Sequence, residues 1–176
     1  MQIDAGIVSW LYNAVAGSPL LSAAAVVAAS WLIWALIAWY VLASWRRGVK
    51  HHELAVLMLG GVGVYLVNVL VSNWWFRLRP FVTLGFQPLI DVPAWSKSFP
   101  SDHAAAAFFA AYLIARTRSS WRWAYALAAF VALGRVAVGV HYPTDVLFGS
   151  CVGLAFGHLT VLLERRFERG LRPQAS

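Results

Sequence analysis

The sequence predicts an all-α integral membrane bundle of about five transmembrane spans, preceded by an interfacial helix. Three observations carry this reading. Of 176 residues, 61% are hydrophobic and only 12% are charged, whereas a soluble domain is near half apolar and about a quarter charged. The apolar residues gather into runs close to the roughly 20 residues that cross a bilayer as a helix. The basic residues lie at the ends of those runs, so the net charge of +7 reads as topology-setting charge and excludes a nucleic-acid partner. Mean hydropathy is +0.67. The lone cysteine, Cys151, excludes an intramolecular disulfide and a cysteine metal cluster and reads as a small packing residue. A chain of this length and composition is expected to form a single membrane-embedded domain, residues 1–176.

Residues 1–17 contain Asp4 and no Lys or Arg, so the basic segment of a secretory signal is missing. Ile3, Ile7, Trp10, Leu11, Ala14 and Val15 fall at helical spacing and predict a short helix lying on the membrane. The first span covers residues 19–45 and ends at Arg46, Arg47 and Lys50; the alanines and valines of residues 22–29 read as its packing surface. The second covers 54–76. Residues 77–100, broken by Pro80, Pro88, Pro93 and Pro100, form a loop. The third span, 101–116, is short; the fourth covers 121–140, and the fifth covers 143–163 with a basic tail behind it.

Ten of the 14 basic residues share one side: Arg46, Arg47 and Lys50; Arg116, Arg118 and Arg122; and Arg165, Arg166, Arg169 and Arg172. That side is expected to be cytoplasmic. Trp45, Trp74, Trp75, Trp121 and Trp123 near span ends form the expected aromatic belt. The same topology brings Arg79, Ser101, Asp102, His103, Arg135, His141 and Asp145 to one depth on the outer face. Ionisable groups at membrane depth are costly and mark function.

The chemistry of these groups is phosphate chemistry. A planar guanidinium binds phosphate oxygens in a fork, so Arg79 and Arg135 are phosphate-clamp candidates, with Arg77 as a possible third. His141 is the nucleophile candidate, and Asp145, four residues on, can orient its ring. His103 is the candidate general acid. Ser101 is a good helix N-cap, and the first amides behind it suit an anion. Asp102 favours that helix end but repels phosphate, so it is expected to turn away or to neutralise an arginine. His51, His52 and His158 fall outside this grouping and read as structural. His103, His141 and Asp145 could ligate a metal, but two arginines among them would repel it. No metal or other cofactor is expected.

Arg79-Pro80, Pro100-Ser101-Asp102-His103 and Arg135 with His141 and Asp145 resemble, in order, the three motifs of the type 2 phosphatidic acid phosphatase family. The resemblance implies a helical membrane core and metal-free hydrolysis through a phosphohistidine. It also implies His141 as nucleophile, His103 as acid, Asp145 as orienter and the arginines as phosphate ligands. Three positions depart from the family pattern: Ser72 stands for a lysine, Asp102 for a glycine and Gly134 for a serine. These departures and the short chain are most similar to the bacterial undecaprenyl-pyrophosphate phosphatase branch. That branch implies hydrolysis of undecaprenyl pyrophosphate, in carrier-lipid recycling for cell-wall synthesis, from the outer face of a bacterial inner membrane. The alternatives are a phosphatase for phosphatidylglycerophosphate, phosphatidate or lipid A, and a non-catalytic lipid-phosphate binding or transport protein. The expected partners are a polyprenyl or other lipid phosphate and the surrounding membrane lipids. The sequence leaves oligomeric state open.

Overall fold

The computed structural model describes residues 2–48, 51–116 and 121–170. Lys50, Arg118 and Arg172, counted above among the cytoplasmic charges, lie outside the described residues. The described chain is helical, as expected. Helix α1 (Gln2–Ala16) is the N-terminal helix. Ile3, Ile7 and Trp10 are exposed on its outer face, and Asp4 and Val8 are buried against the bundle. An apolar outer face suits contact with acyl chains.

The first span is two helices rather than one. Helix α2 (Pro19–Ser30) and helix α3 (Leu32–Arg47) meet at a 44° bend. No proline or glycine marks the bend; Trp31 both closes α2, its N–H bonding the Val27 carbonyl, and opens α3, its carbonyl accepting from the Trp34 and Ala35 amides. Helix α4 (His51–Trp74) follows. The expected loop then contains one short helix, α5 (Pro80–Leu84), with proline in its first turn. Helix α6 (Asp102–Ala115), helix α7 (Trp121–Ala137) and helix α8 (Pro143–Gly170) complete the bundle. The basic segment expected as a tail is helical up to Gly170, as the last turns of α8.

Helices α4 and α8 are each long and apolar enough to cross a bilayer, and the bent α2–α3 pair qualifies when counted as one span. Helix α6 has only 14 residues. At 1.5 Å per residue it covers about 21 Å, less than the roughly 30 Å hydrocarbon layer. Its position explains how so short a helix is tolerated. It is the centre of the bundle, packed by α3, α4, α7 and α8, and most of its alanines are buried.

The tightest of these contacts is with α8, where Gly149, Gly153 and Gly157 recur every fourth residue and so share one face. A methyl group on Gly149 would lie 2.5 Å from the Ser101 carbonyl oxygen, one on Gly153 2.2 Å from the Ala105 carbonyl oxygen, and one on Gly157 2.7 Å from Tyr112 Cβ. Small residues in register let two membrane helices approach to backbone contact. The contact holds the first turn of α6, with His103, beside the first turn of α8, with Asp145. At the other end of the pair, Arg116 and Glu164 form an ion pair. Trp45, Trp74, Trp75 and Trp123 are exposed near helix ends, as expected for the belt; the Trp121 side chain lies outside the described positions.

Candidate active site

The turn between α7 and α8 builds the centre of the site. Gly139 has φ 82°, a left-handed conformation that favours glycine. The Arg135 carbonyl accepts from both the Val140 and His141 amides, which folds the chain back and buries His141. Pro143 opens α8 without needing an amide donor. The Tyr142 amide just before it donates to Asp145 Oδ2 at 2.8 Å, a side-chain cap reaching back over the first turn. The Ser101 amide donates to the Asp145 carbonyl, so the starts of α6 and α8 are bonded directly.

His141 Nδ1 lies 2.7 Å from the Ser98 carbonyl oxygen. A carbonyl only accepts, so Nδ1 carries the proton and Nε2 holds the ring's lone pair. Asp145 Oδ2 is 3.8 Å from the same nitrogen, outside hydrogen-bond range. The expected direct His141–Asp145 hydrogen bond is therefore replaced. Asp145 Oδ2 is already taken by Ser98 Oγ, at 2.5 Å, and by the Tyr142 amide. Asp145 thus holds the residue whose carbonyl holds the imidazole. Burial pushes the His141 pKa down to about 4; Asp145 opposes the shift, and the Arg135 and Arg79 charges add to it.

Arg79 and Arg135 are both buried, at 7% and 4% exposure. Arg79 Nε donates to Ser96 Oγ at 2.8 Å and Nη1 to the Val140 carbonyl at 2.9 Å. Its Nη1 lies 3.4 Å from His141 Nε2. Burial lowers the proton affinity of Arg79, and the charges of Asp102 and Asp145 oppose that effect. Arg135 Nη1 reaches the Ala29 carbonyl at 3.4 Å, and its Nε is buried with no hydrogen-bond partner. A buried, unpaired guanidinium N–H is costly unless something arrives to accept from it.

Arg79, His103, Arg135 and His141 share one cavity of about 440 Å³, which Asp102, Ser30 and the 90–96 loop also line. Ser30 sits at the α2–α3 bend, so the bend brings a hydroxyl into the cavity wall. Asp102 stands half exposed at the rim, accepting from Asn68 Nδ2 at 2.7 Å and Lys97 Nζ at 2.9 Å. It neutralises the lysine rather than an arginine. Two expected phosphate ligands are placed elsewhere. Ser101 is fully buried and caps α6, accepting from the Ala104 amide. Arg77 is engaged by Asp4 and Asp145 and does not line this cavity. Ser72 is also turned away, donating to the Val69 carbonyl. His158 pairs with the Tyr112 hydroxyl far along α8.

Ser98, Ser96, Ser30, Asn68 and Asp4 were not anticipated. Asp4 alone had a signal, as an ionisable residue in an apolar helix. Gly134 has a steric explanation. A methyl group there would lie 2.7 Å from the Ala29 amide nitrogen and 2.9 Å from Ala28 Cβ. The glycine lets α7 approach α2 closely enough for Arg135 to reach Ala29. Gly134→Ser, which restores the family residue, is therefore expected to cost about 1–3 kcal/mol of stability through overpacking and to lower turnover. An unchanged melting temperature and rate would reject this account.

The sequence profile of the PAP2 superfamily matches residues 53–169. An undecaprenyl-diphosphatase, BcrC of Bacillus subtilis, is 34% identical over 137 residues, covering 76% of this chain and 68% of that protein. A lipid A 1-phosphatase of Rhizobium johnstonii is 41% identical over 159 residues, covering 78% of this chain and 63% of its own length. The crystal structure of a transmembrane PAP2-type phosphatidylglycerolphosphate phosphatase from Bacillus subtilis superposes with a TM-score of 0.71 at 24% identity, covering 98% of this chain and 88% of the other. The profile spans every residue of the cavity except Ser30 and extends over α4 to α8, so the chain belongs to the PAP2 superfamily.

Proposed function

We propose that this membrane lipid phosphatase hydrolyses a polyprenyl diphosphate, of the undecaprenyl pyrophosphate class, to the lipid monophosphate and inorganic phosphate. The observation that carries the reading is the convergence of two histidines and two buried arginines on one cavity, with His141 Nε2 unprotonated and 3.4 Å from an Arg79 nitrogen. A phosphoryl group bound by Arg79 and Arg135 would present phosphorus to that lone pair. As Nε2 bonds to phosphorus, the bond from phosphorus to the lipid-side oxygen breaks, and His103 protonates that oxygen. Water then attacks the phosphohistidine and gives its proton to His103, releasing phosphate from Nε2. The two guanidinium groups stabilise the charge on the five-coordinate phosphorus. Asp145 supports the imidazole through Ser98 and by its own charge.

The diphosphate assignment is supported by the BcrC relative and by the leaving group. A lipid monophosphate leaves more readily than an alkoxide and relies less on His103. For protein purified in detergent with excess chelator, kcat/KM for an isoprenyl diphosphate is expected to exceed that for phosphatidate by at least about tenfold, roughly 1.4 kcal/mol of transition-state preference. Equal or reversed preference would reject the substrate and leave the phosphatase reading. A second reading, lipid A 1-phosphatase, is favoured by the 41% identity to the Rhizobium protein; lipid A in the same panel separates the two. No phosphate release from any lipid, with binding retained, would instead mark a non-catalytic binder.

The charge bias supports a bacterial inner-membrane protein whose site opens to the outside. In a Cys151→Ser background, cysteine introduced in the 77–100 loop is expected to react with an impermeant thiol reagent applied outside intact cells. Labelling of the 116–122 loop instead would invert the orientation.

A further inference from the structure

Helix α1 reaches the buried carboxylate of α8 through a single arginine. Arg77 Nη1 donates to Asp145 Oδ1 at 2.8 Å, and its Nη2 donates to Asp4 Oδ2 at 2.9 Å. The guanidinium lies over the Tyr142 ring, 3.6 Å from its centroid. Asp4 is held in turn by α8, accepting from the Thr144 amide at 3.3 Å and from the Thr144 hydroxyl at 2.5 Å. The amide is one of the first in α8 and has no acceptor within the helix, so Asp4 caps α8 from a distant helix. The side chains of Asp4, Arg77 and Asp145 are 11%, 14% and 0% exposed. Burial alone would raise the pKa of Asp4, but hydrogen bonds from Thr144 and Arg77 hold it below the usual carboxylate value. None of the three lines the phosphate cavity; Asp4 and Arg77 line a separate, apolar cavity of about 1080 Å³ beside the outer end of α4.

Anchoring α1 does not require this arrangement. A buried ion pair adds little stability over an apolar contact, and Val8 already docks the helix against α6, α7 and α8. The charges have a different consequence. Arg77 alone would cancel Asp145 and leave the positive Arg79 and Arg135 unopposed beside His141. Asp4 supplies a second carboxylate, so the trio keeps one net negative charge next to an imidazole that becomes positive as its bond to phosphorus forms. Asp4 also fixes Nη2 of the arginine. That keeps Nη1 on Asp145 Oδ1 and leaves Oδ2 for Ser98 and Tyr142.

We infer that Asp4 is a positioning residue for phosphoryl transfer, acting through Arg77 on Asp145 and so on His141. The inference rests on the phosphatase reading above. The test is steady-state kinetics of the full-length protein in detergent, on an isoprenyl diphosphate. Asp4→Asn keeps the shape and removes the charge; it is expected to lower kcat about tenfold and leave KM within about twofold, the signature of an interaction felt in the transition state alone. Val8→Ala loosens α1 without touching the charges and is expected to keep kcat. In an Arg77→Gln background, Asp4→Asn is expected to add no further loss, because both act through one contact. A wild-type kcat for Asp4→Asn, an equal loss in Val8→Ala, or additive losses would each overturn the inference. If Asp4→Asn does not fold, Arg77→Lys decides. Its point charge does not span two carboxylates as the planar fork does, so kcat is expected to fall with KM unchanged, and an unchanged kcat overturns the inference. Wild-type protein that hydrolyses no lipid phosphate would reject the phosphatase reading itself, whereas active wild type with an indifferent Asp4→Asn rejects only the role of Asp4.

Discussion

His141→Ala is expected to abolish turnover, with kcat falling by at least about 10⁴-fold, or some 5.4 kcal/mol of transition-state stabilisation. The size follows from the proposed role, because removing the imidazole removes the Nε2 on which the covalent intermediate would form. Radiolabelled substrate quenched in alkali is expected to leave covalent phosphate on wild-type protein and none on the variant. Covalent phosphate persisting in His141→Ala would refute the assignment. His103→Ala is expected to lose less on a diphosphate than on a monoester, because its proton matters most where the leaving oxygen is basic. The pH dependence carries a further arm. Attack needs the neutral ring, and burial holds the His141 pKa near 4 rather than at the ordinary histidine value. The neutral form therefore persists as pH falls through 6.5 and is lost only near 4. An acid limb in kcat/KM that tracks His141 at pH 6 or above would contradict the burial described here.

Gly153→Leu is expected to be the most damaging change outside the cavity. Even a methyl group there would sit 2.2 Å from a backbone oxygen of α6, and backbone cannot turn aside as a flexible side chain can. Overpacking in a close-packed interior costs about 1–3 kcal/mol, occasionally more, and four added carbons at a backbone contact belong to the upper end. The expected result is loss of monodisperse protein on size exclusion, with Gly153→Ala intermediate in melting temperature and in rate. Because this interface also aligns His103 with His141, any Gly153→Ala protein that folds should lose kcat as well as stability. Normal folding and turnover in Gly153→Leu would show that α6 and α8 have room to separate.

The membrane fold and four cavity residues were readable for one reason. Bilayer physics makes polar groups within or bordering apolar segments conspicuous, as for His103, Arg135 and His141, and the span order brings Arg79 of the 77–100 loop to the same face. The acceptor for His141 was not readable, because a backbone carbonyl at Ser98 has no residue-type signature. Arg77 and Arg79 look alike in sequence. What separates them is Asp4, which arrives from 73 residues away and claims one of the two. The α2–α3 bend has no local marker, since neither proline nor glycine lies there. The glycines of α8 were an available signal: a spacing of four defines a packing face, although it does not say that α6 occupies it.

The pairing of α6 with α8 also bears on biogenesis. Helices enter the membrane in chain order, and α8 enters after α1 to α7. A nascent chain that has inserted only α1 to α7 holds the general-acid candidate and both cavity arginines, but it has neither Asp145 nor the glycine face that aligns α6. Its His141 has no capped helix start to fold back against. Hydrolytic competence would thus appear in one step as α8 inserts, and chains stopped before α8 would be inert.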